Sequence, residues 1–95
     1  MKIPEKVKVG GHILDVVVTS DSNLLPNSEI GITVLAKNVI YINSNYPQSR
    51  KEEALLHELI HNFLYDLRED QDEQLVERLG VLFHAVVVDN PDVFK

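Results

Sequence analysis

The chain has 95 residues, 44% of them apolar, which suffices for one compact core and predicts a single domain spanning residues 1–95. Nine Lys and Arg against fifteen Asp and Glu leave a formal charge of −6, the wrong balance for a nucleic-acid surface, which needs clustered cations. Cysteine is absent, which excludes disulfide scaffolds, thiolate metal sites and thiol nucleophiles.

From Lys6 to Asn43 the chain is rich in β-branched residues and in turn signals. Val7-Lys8-Val9 and His12 to Val18 flank Gly10-Gly11, a two-residue turn suited to a β-hairpin. Asp21 to Asn27 is polar, contains Pro26 and reads as a loop. Ile30 to Leu35 and Asn38 to Ile42 form a second strand pair around Ala36-Lys37. After a loop at Asn43 to Pro47, Ser49 and Glu52 fit a capping box at the start of a helix running to about Leu67. An acidic turn around Arg68 to Asp70 leads to a second helix over about Asp72 to Asp89. Its apolar residues Leu75, Val76, Leu79, Leu82, Phe83 and Val86 recur near 3.6, and Asn90-Pro91 ends it. The expected fold is therefore α+β: a mainly antiparallel four-stranded sheet with an antiparallel helix pair on one face. No run approaches the roughly 18 apolar residues of a membrane span. Met1 to Glu5 also lacks the apolar core of a signal peptide, so a cytoplasmic protein with neither membrane nor nucleic acid as partner is expected.

The first helix contains His57-Glu58-Leu59-Ile60-His61, an H-E-x-x-H motif. Four residues turn a helix by about 400°, so both imidazoles leave one face a turn apart and can converge on one cation. Glu58 lies about 100° round from His57, near enough to take a proton from a water on that cation. Two neutral nitrogens and a carboxylate suit Zn²⁺, which keeps three protein ligands and one open position in catalytic sites. A shuffled chain of this composition contains the motif about 1% of the time. Its apolar flanks, Ala54-Leu55-Leu56 and Phe63-Leu64-Tyr65, predict a buried face on which such groups need a partner. The plainer reading is a pair of helix histidines facing solvent or bonded to carboxylates.

The third ligand is expected from the second helix, where Asp72, Glu73 and Glu77 are the candidates. With Val76 at zero, the apolar stripe centres near 300°, and Asp72, Glu73 and Glu77 fall at about 320°, 60° and 100°. Asp72 has the best direction but a short side chain, and Glu77 points furthest from the core. Glu73, at the stripe's edge, is preferred, with Glu77 in reserve; Asp70-x-x-Glu73 could instead be a capping box. His84 is about 16 Å further along the helix and is not expected to share the ion. His12 reads as a surface strand residue, and Glu69 to Glu73 as a solvated turn without the spaced ligands of a calcium loop. Gly80 suggests close approach of the first helix. Val87, Val88, Val93 and Phe94 could form a self-association surface.

The run Lys51 to His61, the segment Glu73-Gln74-Leu75-Val76-Glu77-Arg78-Leu79 and the terminal Asp89-Asn90-Pro91 resemble the gluzincin metallopeptidases. More narrowly, they resemble small phage and prophage proteins related to minimal gluzincins and the ImmA/IrrE-type metallopeptidases. With Val39 to Asn43 the likeness covers about residue 30 to the end, although the His61–Glu73 interval is shorter than in thermolysin-like enzymes. The resemblance implies a zincin-like fold, His57, His61 and Glu73 on zinc, and Glu58 as general base. It implies hydrolysis of a peptide or protein substrate laid along a sheet edge, supplied by Ile30 to Leu35 or Asn38 to Ile42. An oxyanion donor is expected too, from Tyr41, Tyr46 or Tyr65. The alternative is a non-catalytic regulatory or protein-binding module with a structural zinc, in which Glu58 has no task.

Overall fold

The computed structural model describes residues 1–94, and the side chain of Phe94 lies outside the described residues. Strand β1 (Lys6–Val9) and strand β2 (His12–Thr19) pair antiparallel around Gly10 and Gly11. Both glycines have positive φ, +57° and +84°, as the tight hairpin turn demands. The Asp66 carboxylate at the end of the first helix sits beside this turn, where a Cβ on Gly10 would lie. Strand β3 (Gly31–Val34) and strand β4 (Val39–Asn43) form the second antiparallel pair, joined by one 3₁₀ turn at Leu35–Lys37 and a left-handed Asn38.

The sheet order is β1-β2-β4-β3, and β2 pairs with β4 in parallel. Two ladders are antiparallel, as expected, but the sheet is mixed. The connection over residues 20–30 is long enough to carry the chain past one strand position, so β3 lands at the edge and β4 returns into the gap. Ile40, Tyr41, Ile42 and Asn43 in β4 are all buried, which is why that strand reads as an unbroken apolar run.

Helix α1 (Gln48–Leu67) lies on the sheet, with Ala54 and Leu55 packed on Val9, Leu14, Val16, Ile40 and Ile42. Its start differs from the expected capping box: Pro47 is the cap residue and no side chain caps the helix. Glu52 is instead buried and accepts a hydrogen bond from His84 at 2.8 Å. Helix α2 (Glu73–Asp89) packs principally against α1 rather than beside it on the sheet. The Asp72 carboxylate caps it by accepting from the Leu75 amide at 3.2 Å, so the Asp70–Glu73 capping box does not form.

The buried side of α2 also differs from the expected stripe. Val76 and Gly80 are buried, whereas Leu75, Leu79, Leu82 and Val86 are exposed. With Val76 at zero and Gly80 at about 40°, the helix faces α1 near 20°, not 300°. A Cβ on Gly80 would stand 3.3 Å from His57 Cα, the close approach that this glycine suggested. Of the C-terminal apolar residues, Val88 and Val93 are exposed. Among the described residues, no helix is long and apolar enough to cross a membrane.

Candidate metal centre

Helix α1 presents His57 and His61 from one face, one turn apart, with their ring centroids 4.9 Å apart and Nε2 atoms 3.2 Å apart. Because α2 meets α1 near its 20° direction, Glu73 lies only about 40° from the contact line. Its carboxylate reaches His57 Nε2 at 2.9 Å through one oxygen and His61 Nε2 at 3.1 Å through the other. A tetrahedral zinc with bonds of about 2.0–2.1 Å holds its ligands roughly 3.3–3.4 Å apart. The three donor separations lie close to that spacing, so the residues fit such an ion.

The hydrogen-bond partners of His61 agree with that fit. Gln71 Oε1 lies 2.6 Å from His61 Nδ1, and Gln71 Nε2 donates to the His61 carbonyl at 3.2 Å. An acceptor at Nδ1 keeps the ring proton there and leaves the Nε2 lone pair facing Glu73 and His57.

Glu58 is the second carboxylate at the site, and its donor atom lies within 4.8 Å of those of His57 and His61. It is buried, and its Oε1 accepts from the Thr33 hydroxyl at 2.8 Å. Asn62 Nδ2 donates to Thr33 Oγ1 at 3.2 Å and to the Glu58 carbonyl at 2.8 Å, which fixes the hydroxyl rotor toward the carboxylate. Burial pushes the Glu58 carboxyl above its ordinary pKa, opposed by the Thr33 hydrogen bond and the two imidazoles. Thr33, Asn62 and Gln71 escaped the sequence reading. Only Asn62 carried a signal there, since it stands four residues after Glu58 on the same buried face.

These groups open into a cleft of ≈ 800 Å³ between β3 and α2, lined also by Gly31, Tyr46, Tyr65 and Glu77. His57 and His61 are half-buried along its wall rather than enclosed, as the apolar flanks had suggested. Strand β3 is the free edge beside the cleft, and β4 is interior, so Asn38 to Ile42 offers no edge. The Asn43 amide donates to the Ile30 carbonyl at 2.7 Å. In an antiparallel ladder this turns the main-chain groups of Ile32 and Val34 toward β4 and those of Gly31 and Thr33 outward. A Cβ on Gly31 would stand 3.5 Å from Glu58 Cγ and 3.4 Å from Ala54, so the bare backbone lets the edge run close above Glu58.

The remaining candidates separate by position. Asp72 is occupied as the α2 cap. Glu77 lines the cleft a turn beyond Glu73, and the contacts to both rings come from Glu73. Tyr41 is buried in the interior strand, Tyr46 donates to the Ser28 carbonyl at 3.0 Å, and Tyr65 stands exposed on the cleft wall. His12 is exposed on β2, and His84 is tied to Glu52. The chain matches no family model, no curated protein and no solved structure.

Proposed function

We propose that the chain is a zinc-dependent metallopeptidase of gluzincin type, with His57, His61 and Glu73 as metal ligands and Glu58 as general base. The observation that carries this reading is the buried Glu58 carboxylate, held by Thr33 within 4.8 Å of the paired ring nitrogens. A zinc that merely fastened α2 to α1 would need His57, His61 and Glu73 but not Glu58. Zinc at this place supplies Lewis-acid polarisation of a carbonyl and lowers the pKa of water to about 7. The chain's own residues do the rest. Glu58 takes the proton of the attacking water and returns it to the leaving amine, a task for which its raised pKa brings it nearer neutrality. Thr33 and Asn62 fix the carboxylate's direction, and Gln71 fixes the His61 ring. The outward main-chain groups of Gly31 and Thr33 bind an extended peptide or protein segment as an added strand.

Glu58→Gln tests the reading because it keeps size and hydrogen bonding while removing the base. The variant is expected to retain the wild-type zinc content by elemental analysis and to lose about 10²–10⁴-fold in cleavage of a quenched-fluorescence peptide library. Undiminished cleavage by the variant refutes Glu58 as the base, and a fully zinc-loaded wild type that cleaves nothing in the library refutes the peptidase reading and favours the binding module.

A further inference from the structure

Helix α2 carries an apolar seam that the fold leaves in water. Leu75, Leu79, Leu82 and Val86 are 48%, 42%, 62% and 48% exposed. Their spacing of four, three and four residues is the a/d alternation of a coiled coil, which places them in one straight row. By helix rotation the row centres near 270°, on the flank opposite Glu73, Glu77 and His84 and so away from the cleft. Asp72 and Asp89 occupy the next seam positions at either end, which confines the row to four apolar layers. On α1, Phe63 and Leu67 are exposed and, by helix rotation, turn away from the face that carries His57 and His61.

We propose that this flank is the surface through which two copies of the chain pair. Half-exposed residues of this size leave on the order of 80–120 Å² each in water, so the six together present roughly 600 Å². A patch of that size is at the upper end for a monomer. Covered on two copies, it removes about 1,200 Å², the lower end for a stable specific interface. The apolar part of the seam is self-complementary about a twofold axis between Leu79 and Leu82: run antiparallel, Leu75 meets the partner's Val86 and Leu79 meets the partner's Leu82, while Asp72 and the partner's Asp89 face each other at the solvated ends and limit the contact to the four apolar layers. Antiparallel α2 helices also set their macrodipoles head to tail, which is favourable. A lipid surface is the poorer occupant, because Arg78 is the only Lys or Arg on α2 and the chain carries −6 overall, whereas membrane-surface helices are rich in Lys and Arg.

Sedimentation equilibrium of the full chain from about 1 to about 500 µM tests this, since pairing must follow mass action. The expected wild-type mass rises to twice 10.8 kDa. Leu82→Glu is expected to weaken pairing at least about 100-fold, because it places two buried charges on the axis. Ile13→Glu, at an equally exposed apolar site on β2, leaves it unchanged. If Leu82→Glu loses its helical circular dichroism, Leu82→Gln replaces it with the same direction expected. A wild type that stays monomeric throughout overturns the proposal and leaves the flank to a different protein. A folded Leu82 variant that pairs as wild type, or a loss of pairing in Ile13→Glu, overturns it equally.

Discussion

Gly80→Val is the most direct probe of how the helix pair builds the site. A Cβ at Gly80 would lie 3.3 Å from His57 Cα, 3.4 Å from His57 Cβ and 3.5 Å from the His57 amide nitrogen. Carbon contacts are optimal at about 3.5–4.0 Å, so even alanine requires α2 to retreat by a few tenths of an ångström. Alanine recovers about 1 kcal/mol of helix propensity, which offsets that crowding and leaves Gly80→Ala close to neutral. Valine adds two methyl groups beside helix backbone that cannot rotate away, at an overpacking cost of about 1–3 kcal/mol. In a chain of this length each kcal/mol lowers Tm by about 4–8 °C. Glu73 stands two turns earlier on the same side of α2, so the same retreat opens its 2.9 Å contact to His57. Zinc affinity, read by competition with a chromophoric chelator, should fall by at least the roughly 10–100-fold that loss of a supporting residue costs. A Gly80→Val protein with wild-type Tm and wild-type zinc affinity would show that the two helices do not meet as described.

Glu73→Ala is expected to lower zinc affinity while leaving the unfolding of the metal-free protein almost unchanged, because the side chain is exposed. Asp72→Ala should do the reverse, costing about 1 kcal/mol through the lost cap with zinc affinity intact. In the metal-free protein, burial raises the Glu58 pKa, so the folded state holds this proton more tightly than the unfolded chain. Stability from this group is present below the ordinary carboxyl range and declines as pH rises through the raised value; in Glu58→Gln that component of the pH–Tm profile should vanish. Thr33→Val removes the hydrogen bond that opposes the rise, and the acidic limb of any peptidase pH profile should move to higher pH. Burial alone would raise Glu52. Hydrogen bonds from His84 and Gln48, with the charges of the N-terminal ammonium and His84, outweigh it and hold the carboxyl low. Its contribution is therefore present above the ordinary value and lost as pH falls through the lowered one. His84→Ala should destabilise the chain by about 1–3 kcal/mol at neutral pH, measured by chemical denaturation, because the buried carboxylate loses its 2.8 Å partner and keeps only Gln48 and the more distant N-terminal ammonium.

The exposed seam is why the sequence alone points α2 in the wrong direction. Leu75, Leu79, Leu82 and Val86 outweigh Val76 and Gly80 in any average of apolarity, and glycine contributes nothing to such an average although it marks the contact. In the sequence Glu73 stands at the edge of the apolar stripe. It reaches the histidines because the true contact line passes only about 40° from it. The misplaced capping box has a similar origin. Ser49 and Glu52 satisfy the local pattern, but Glu52 lies on the side of α1 that faces His84, thirty-two residues away.

Local chemistry determined the elements and half of the site. Gly10-Gly11 specified a hairpin because positive φ is open to glycine, and the 3.6 period specified both helices. The four-residue interval between His57 and His61 fixes two imidazoles on one face whatever the packing. Only the tertiary structure decided that β4 lies interior and parallel to β2, that β3 is the free edge, and that Thr33, Asn62 and Gln71 brace Glu58 and His61. The physical reason is range. Backbone conformation and helical phase are set by neighbours a few residues away, whereas strand order, helix rotation and these hydrogen bonds depend on which distant surfaces come together, and each of those is a small difference between competing packings.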